Sequence, residues 1–378
     1  MPRPLALMFL IVIFPLVVSS QVSKPRPNQE ATSAPPSLQA GTFLDDTRGE
    51  PATTSNGDAQ SSNAQTQQSN TPPQQKPKSG KPKSPSTSLD RPPIEGSMVG
   101  YIDDAIIGSE VRFRFDAGFD DNRPDRAEFF YAACGCLGGG AAGPKPGLVA
   151  HLNFEQLYMY GEYAPVRRFS AFVEIPFRWI QPQKFAPNTL PGFGNQGGLS
   201  DVSAGFKVAV LSTAKHYLTF QFGATFPSGD SYKGLGTDHY SVEPNVLYFQ
   251  KISDRLTFEG QLGDTHPIGG DVPGFPGDVF TYGVGPSYTV YTTEQLRITP
   301  VIEVVGWRVI GGKVADADLK AQDLPPVISA DGTNIVNLKA GFRTSIGNHN
   351  SIYLGYGQAL THEIWYKHLV RLEYRYTF

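Results

Sequence analysis

The feature that most constrains the fold is a period-two pattern that runs from residue 109 to the C terminus. Side chains alternate between two faces of a β-strand, and in RFSAFVEIPFRWI the residues Phe169, Val173 and Phe177 share one face while Glu174 and Arg178 share the other. Most segments have 11 to 15 residues, which exceeds the roughly five or six typical of soluble sheets and the about 9 to 11 needed to cross a bilayer. Twelve segments show the pattern: 109–119, 148–162, 168–180, 200–212, 215–227, 240–252, 254–264, 279–291, 296–310, 333–346, 350–359 and 364–378.

The connections between these segments alternate in length. Short turns such as TAK, SD and GNHN follow every second segment. The other gaps, apart from 360–363, are long: 120–147, 181–199, 228–239, 265–278 and 311–332. Transmembrane barrels show this alternation, with turns in the periplasm and loops outside. The sequence therefore predicts an all-β fold, an antiparallel up-and-down transmembrane barrel of about 12 strands with both chain ends in the periplasm.

The last strand, VRLEYRYTF, ends on an aromatic ring. Val370, Leu372 and Tyr374 share one face, and the opposite face carries charge. This strand must pair with the first, because an open sheet edge in lipid leaves backbone groups without hydrogen bonds. A terminal strand ending at Phe378 also resembles the signal that insertion machinery recognises in bacterial outer-membrane barrels. The resemblance implies two partners, the insertion machinery and outer-membrane lipid, in a Gram-negative-type cell.

The N-terminal part differs in composition from the barrel. Residues 1–20 have the form of a secretory signal, since Arg3 precedes an apolar run at 5–18 and small residues follow; an N-terminal membrane anchor is the alternative. Residues 21–95 are rich in Pro, Ser, Gln and Lys, which predicts a disordered periplasmic segment. The barrel domain then spans 96–378. The net charge of −3 gives no basis for nucleic-acid binding.

The register of the apolar faces predicts which side chains point into the barrel. Strands 12 and 1 are neighbours in a closed ring, so their arginines are expected to form one basic wall. This wall either lines a permeation path that favours anionic or polar-headed solutes, or forms a salt-bridge ladder that stiffens and plugs a narrow barrel. The predicted lumen-lining residues are Arg112, Arg114, Asp116, Glu174, Arg178, Lys207, Arg255, Glu259, Gln261, Arg297, Glu303, Lys339, Arg343, Arg371, Glu373 and Arg375.

Two other groups of residues have chemically reactive side chains. Cys134 and Cys136 lie in the first long loop, where a disulfide or two free thiols are both compatible with an oxidising envelope, and a metal site would need further ligands. His239 and Ser241 have the spacing of a His and Ser pair on a barrel strand, but a nucleophile also needs an oriented base. We expect no catalytic residue, metal or cofactor.

Two adjacent strands resemble a known family. GGLSDVSAGFKVAVL and YLTFQFGATFPSGD are similar to motifs of outer-membrane barrels named for the meta-pathway of phenol degradation, with matches at Asp201, Gly205, Lys207, Gly229 and Asp230, and at Pro227. The resemblance implies a transporter of hydrophobic or aromatic compounds. The predicted function is a channel for passive passage of small solutes. Alternatives are a structural or adhesive barrel that acts through its loops, or a lipid-modifying enzyme at His239 and Ser241.

Overall fold

The structure is a computed structural model that describes residues 96–122, 149–185, 193–269, 276–315, 322 and 327–378. These residues belong to one compact unit, 80–378. The predicted signal and disordered segment, residues 1–95, lie outside the described residues. Among the residues described, no helix has the length and apolar character needed to span a membrane.

Long β-strands make up almost all of the regular structure, with one 3-10 turn at Ser231–Lys233. Their bounds differ by a few residues from the predicted segments. In chain order they are β1 Glu110–Asp121, β2 Val149–Val166, β3 Phe169–Phe185, β4 Gln196–Leu199, β5 Val202–Ser212, β6 His216–Phe226, β7 Tyr240–Lys251, β8 Leu256–Ile268, β9 Asp278–Tyr288, β10 Tyr291–Thr292, β11 Leu296–Ile310, β12 Lys313–Ala315, β13 Val327–Ser329, β14 Asn334–Ile346, β15 Asn350–Ala359 and β16 His368–Thr377.

The sheet closes on itself. Its order runs β11-β14-β15-β16-β1-β2-β3-β5-β6-β7-β8-β9, and β9 pairs with β11 to complete the ring. All these pairings are antiparallel. The short strands are additions: β4 pairs with β3, β10 with β11, and β12 with β13. The prediction of a closed, twelve-stranded antiparallel barrel is confirmed.

The ring is sealed where the two terminal strands meet. The β1–β16 register runs from Glu110 opposite Thr377 to Phe119 opposite His368. Along β16, exposed and buried residues alternate strictly, so Leu372 faces outward while Glu373 is buried. The aromatic C terminus thus lies on the outer surface of a paired strand, as the sequence predicted.

Two predicted strands differ from the observed ones. The predicted segment 200–212 corresponds to β5, and a short strand that was not predicted, β4, precedes it within the expected loop 181–199, with Ser200 and Asp201 outside the ladder between the two strands. The final strand begins at His368 rather than at 364, because the preceding residues turn into the barrel. There Trp365 is fully buried and its ring lies 4.9 Å from that of Trp307. The last connection, 360–367, is therefore longer than expected.

The outer surface of the barrel is apolar. Side chains such as Val246, Leu262, Ile302 and Leu354 are exposed at 42 to 55%, and exposed aromatic residues occur towards both rims. This arrangement matches the outward apolar band and aromatic girdles of transmembrane barrels. Exposed aromatic residues near the turns include Tyr163, Phe169, Tyr288, Tyr376 and Phe378, and those near the long loops include Phe119, Trp179, Phe226, Tyr240 and Phe280.

Candidate functional site: the barrel interior and its inner segment

Residues 96–109, here called the inner segment, run inside the barrel before β1 begins. The Ser97 carbonyl lies near Arg375, close to the turn end of β16, and Tyr101 lies at mid-barrel beside Arg371. The segment then returns, and the Ser109 hydroxyl accepts a hydrogen bond from the Ala164 N–H at 3.0 Å. It forms no strand. The inner segment therefore fills the half of the interior nearest the short turns.

Acidic side chains of the wall accept hydrogen bonds from the backbone of the inner segment. The Glu303 carboxylate accepts from the N–H groups of Gly100, Tyr101 and Ile102 at 3.1, 2.9 and 2.9 Å. Glu259 accepts from the Met98 N–H at 3.0 Å. Both carboxylates are almost fully buried. Four backbone N–H groups of the inner segment thus obtain from side chains the hydrogen bonds that a strand would obtain from a neighbouring strand.

Basic side chains of the wall donate to the carbonyl groups of the same segment. Arg343 donates from Nη2 to the Val99 carbonyl at 2.7 Å and from Nε to the Met98 carbonyl at 3.2 Å. Lys207 donates to the Asp104 carbonyl at 3.1 Å. The Gly100 carbonyl accepts from Arg371 Nη1. Acidic and basic side chains of the wall therefore both bind the backbone of the inner segment.

Apolar side chains of the inner segment fill the space near the turns. Ile106 packs with Leu247 and Phe249, and Ile107 packs with two small residues, Ala164 and Ala209. Burying such side chains contributes about 1.5 to 3 kcal/mol each. The inner segment is therefore held by hydrophobic contact at its turn-side end and by polar contacts at mid-barrel.

The predicted lumen-lining residues of the strands lie on the interior side. Of the fourteen charged residues predicted on β1, β3, β5, β8, β11, β14 and β16, twelve are at most 8% exposed, and Arg114 and Glu174 have side chains exposed at 16 and 20%. One further expectation was wrong: Arg255 is exposed in the turn before β8, because that strand begins one residue later at Leu256. Their role as the lining of a permeation path stays a prediction. The twelve are Arg112, Asp116, Arg178, Lys207, Glu259, Arg297, Glu303, Lys339, Arg343, Arg371, Glu373 and Arg375.

The expected basic wall forms at the seam between β1 and β16. In the register, Arg112 lies opposite Arg375 and Asp116 opposite Arg371. Arg371 binds both oxygens of Asp116, at 2.7 and 2.6 Å. Glu373 accepts from Arg375 at 3.2 Å and from Arg343 at 2.9 Å. The arginines are close together because carboxylates alternate with them.

Several interior residues were missed by the sequence reasoning. Glu162 accepts from Lys207 at 2.9 Å and from Ser170 at 2.6 Å, and Asp104 accepts from Arg375 at 3.1 Å. Glu162 was at the end of a predicted strand, so its direction was ambiguous. The available signal for the inner segment was the apolar content of MVGYIDDAII, residues 98–107, which is unusual for a linker.

A cavity of about 340 Å³ occupies the interior on the loop side of the inner segment. Tyr101 and Asp103 of the inner segment contribute to its wall, together with charged, amide and hydroxyl side chains of the barrel. Lys339 lies beside three aromatic rings there, with its Nζ 4.1 Å from the ring centre of Tyr101 and 4.9 Å from that of Trp307. The cavity is a polar chamber with aromatic patches.

Asp201 anchors one of the long connections to the barrel wall. Its carboxylate accepts from the Gly229 N–H at 2.9 Å and from the N–H and hydroxyl of Thr237 at 2.7 and 2.8 Å. This explains why an acidic residue interrupts the ladder between β4 and β5. Asp201 and Gly229, two of the positions carrying the family resemblance, are thus in contact.

His239 and Ser241 are both buried, but they are not arranged as a base and nucleophile. His239 Nδ1 bonds the Thr237 carbonyl at 2.8 Å, and its Nε2 has no hydrogen-bond partner among the described residues. Burial lowers the pKa of His239, which keeps the ring neutral at neutral pH. Neither ring nitrogen orients the Ser241 hydroxyl, as nucleophile activation requires. Cys134 and Cys136 lie outside the described residues.

No protein-family model and no curated protein matches this sequence. Among solved structures, similar folds include an outer-membrane channel from Pseudomonas putida F1, with 13% identity and a TM-score of 0.48, covering 72% of this chain and 96% of that one. The KdgM porin has 9% identity and a TM-score of 0.35, covering 71% and 99%. LpxR from Salmonella typhimurium has 10% identity and a TM-score of 0.40, covering 71% and 100%. At these TM-scores the likeness carries no argument about function.

Proposed function

We propose that this protein is an outer-membrane channel for passive passage of small solutes, closed by its inner segment and opened when that segment leaves the barrel. The membrane assignment is supported by the apolar outer surface, which would be an aggregation hazard in water but is the surface that lipid requires. A closed ring also leaves no unpaired strand edge in the hydrocarbon.

The observation that carries the proposal is the chemical character of the interior. Its wall is charged, and it holds an irregular segment through contacts between side chains and backbone. Burying ion pairs is costly, and a permanently dry interior is usually more stable when filled with apolar side chains. When the inner segment has left the barrel, water would solvate the charged wall, and its ion pairs would no longer be buried. In that state Glu303, Arg343 and Arg371 would line a water-filled lumen.

Incomplete pairing of interior charges supports the same conclusion. Glu259 Oε2 is buried and has no hydrogen-bond partner among the described residues. Buried polar atoms without a protein partner are normally bound by water. The interior therefore has the composition of a wettable passage.

The lining favours polar solutes. Charged, amide and hydroxyl groups contribute most of the cavity wall, and they would discriminate against a hydrophobic solute through the cost of burying them unpaired. Passage of hydrophobic or aromatic compounds, which rests on the family resemblance alone, stays a prediction. Passive passage requires neither a cofactor nor a catalytic residue.

The proposed topology places the short turns and the chain that precedes the inner segment in the periplasm, and the long loops outside the cell. The proposed partners are outer-membrane lipid along the barrel, the insertion machinery at the C-terminal strand, and the solute. Residues 21–95 would then lie in the periplasm and lead directly into the inner segment. A force applied to residues 21–95 would withdraw the inner segment from the barrel.

Liposome swelling tests the proposal. Vesicles carrying the wild type are compared with vesicles carrying a variant that lacks residues 97–107, using small neutral sugars as osmolytes. We expect the variant to swell at least tenfold faster. A folded variant that gives no swelling, with folding verified by gel mobility before and after boiling, would favour a structural barrel that acts through its loops.

A further inference from the structure

The cavity on the loop side of the inner segment is lined by charges of both signs, including an arginine and a pair of carboxylates on different sides. Arg114 lies on one side, in the sheet region around β1. On the other side Glu243 of β7 faces the cavity together with Asp103 of the inner segment. Gln221, which donates a hydrogen bond to Asp103, lies opposite Asn245 in the β6–β7 register, and Glu243 is two residues from Asn245 on the same face of β7, so the two carboxylates are neighbours.

The two carboxylates on the acidic side are not neutralised by the protein. Asp103 accepts a hydrogen bond from the Gln221 amide at 3.0 Å, and Glu243 accepts one from the Thr225 hydroxyl at 2.7 Å. Both donors are neutral. Within the described part of the chain, neither carboxylate forms an ion pair with a lysine or arginine. Two neighbouring carboxylates with only neutral partners favour a cation between them.

Arg114 retains binding capacity on the opposite side. Its contacts with Asp116 and Glu174 are 3.8 and 3.5 Å, which is longer than the roughly 2.7 to 2.9 Å of a charge-assisted hydrogen bond. Its Nε has no hydrogen-bond partner among the described residues. The guanidinium carbon lies over the Tyr158 ring, 3.7 Å from the ring centre, so this ring supports the guanidinium at the cavity wall.

We propose that this cavity binds a small zwitterion of the α-amino acid type, with its carboxylate at Arg114 and its ammonium group between Asp103 and Glu243. The assignment rests on the proposed function, because the cavity is the outer chamber of the proposed channel. A simple anion would not neutralise the charge of the carboxylate pair, and a simple cation would not form an ion pair with Arg114. Since Asp103 belongs to the inner segment, the solute would contact the segment that closes the pore.

Isothermal titration calorimetry of the purified full-length protein in detergent tests this proposal with three matched probes. L-phenylalanine carries both charges, 3-phenylpropanoate lacks the ammonium group, and 2-phenylethylamine lacks the carboxylate. We expect the Kd of L-phenylalanine to be at least tenfold lower than that of either analogue. Equal Kd values for all three probes, or binding of none, would overturn the assignment. Tighter binding of the amine than of the amino acid would show a simple cation site instead, and would also overturn it.

Nearly isosteric variants assign each charge. Glu243→Gln and Asp103→Asn are expected to raise the Kd of L-phenylalanine about tenfold and to leave the Kd of 3-phenylpropanoate unchanged or lower. Arg114→Gln is expected to weaken L-phenylalanine and 3-phenylpropanoate together. Glu294→Gln, in an exposed turn, is the control and should change neither. A folded Glu243→Gln variant with wild-type affinity for L-phenylalanine would contradict the proposal.

These outcomes are independent of conduction. If L-phenylalanine does not bind but the variant lacking residues 97–107 conducts, only the zwitterion assignment fails. If L-phenylalanine binds as expected but that variant does not conduct, only the channel proposal fails.

Discussion

The carboxylate of Glu303 accepts a hydrogen bond from the backbone N–H of Tyr101 at 2.9 Å, although the two residues are 202 positions apart in the chain. Glu303 lies on β11 at mid-barrel and is fully buried, and it binds the N–H groups on both sides of Tyr101 as well. One barrel side chain therefore holds the inner segment at its deepest point.

Replacing Glu303 with glutamine should favour the open state. The amide keeps one acceptor oxygen but brings an NH₂ group towards three N–H donors, and each hydrogen bond to a charged group contributes about 1.5 to 3 kcal/mol. We expect a loss of about 3 kcal/mol of docking free energy, or about a hundredfold rise in the ratio of open to closed channels. Open probability in planar bilayers measures this ratio. Glu294→Gln in an exposed turn is the control, and an unchanged open probability in Glu303→Gln would contradict the role given to Glu303.

Gly100→Val should prevent the inner segment from seating. A Cβ atom at position 100 would overlap the ring of Tyr353, which is fully buried in the wall. The same substitution at Gly96 is a matched control, because no atom lies within 4 Å of a Cβ added there. We expect Gly100→Val to conduct as an open channel and Gly96→Val to behave like the wild type. If both variants conduct like the wild type, Gly100 is not packed against Tyr353.

A disulfide between the inner segment and the wall should lock the barrel shut. A Cβ added at Gly285 would lie 3.0 Å from Val99 Cγ1, about the separation of a sulfur atom and the opposite Cβ in a disulfide. The pair Val99→Cys and Gly285→Cys is made with Cys134 and Cys136 changed to serine. Because a Cβ at Gly285 would also lie 2.8 Å from Glu303 Cγ, the single variant Gly285→Cys is the control. We expect no openings when the pair is oxidised, and the openings of the Gly285→Cys control after a reductant is added. Openings in the oxidised protein, with the bridge verified by mass spectrometry, would show that solutes pass another way.

A charge on the outer surface should destabilise the barrel according to its depth. Leu354 is 42% exposed in the middle of β15, and Leu360 is 59% exposed just beyond the loop end of that strand. Arginine costs about 2 to 4 kcal/mol at the bilayer midplane and about 0 to 1 near the interface. Urea unfolding in lipid vesicles should therefore show Leu354→Arg to be less stable than Leu360→Arg by about 2 kcal/mol. Equal stability of the two variants would argue that β15 does not face hydrocarbon.

The barrel could be predicted from sequence because its signal is local and repeated. Each strand shows the alternation of apolar and polar residues. A closed ring requires β1 to pair with β16, so the inward faces of these two strands predict that Asp116 and Arg371 lie close together. Strand ends were less predictable. Ile364 and Tyr366 share the outward parity of β16, yet both are buried, because the chain before His368 turns into the barrel, where the Tyr366 ring packs against that of Phe154.

The inner segment could not be predicted for a different reason. Residues 96–109 have no period, and their backbone is satisfied by side chains more than 100 positions away, such as Glu259 and Arg343. The sequence identified these side chains as lumenal charges, and it left open whether they line a passage or plug it. Their partners are backbone groups, which carry no sequence signal. The acidic pair of Asp103 and Glu243 was missed because one member belongs to this segment.

Single-channel conductance of the variant lacking residues 97–107 is the most direct test of the claim that the inner segment closes the barrel. In one bilayer at fixed salt and voltage, the wild type should remain closed or open only briefly. The shortened protein should show a persistent conductance of constant size from the moment of insertion. A shortened protein that is folded, inserted and electrically indistinguishable from the wild type would contradict the account.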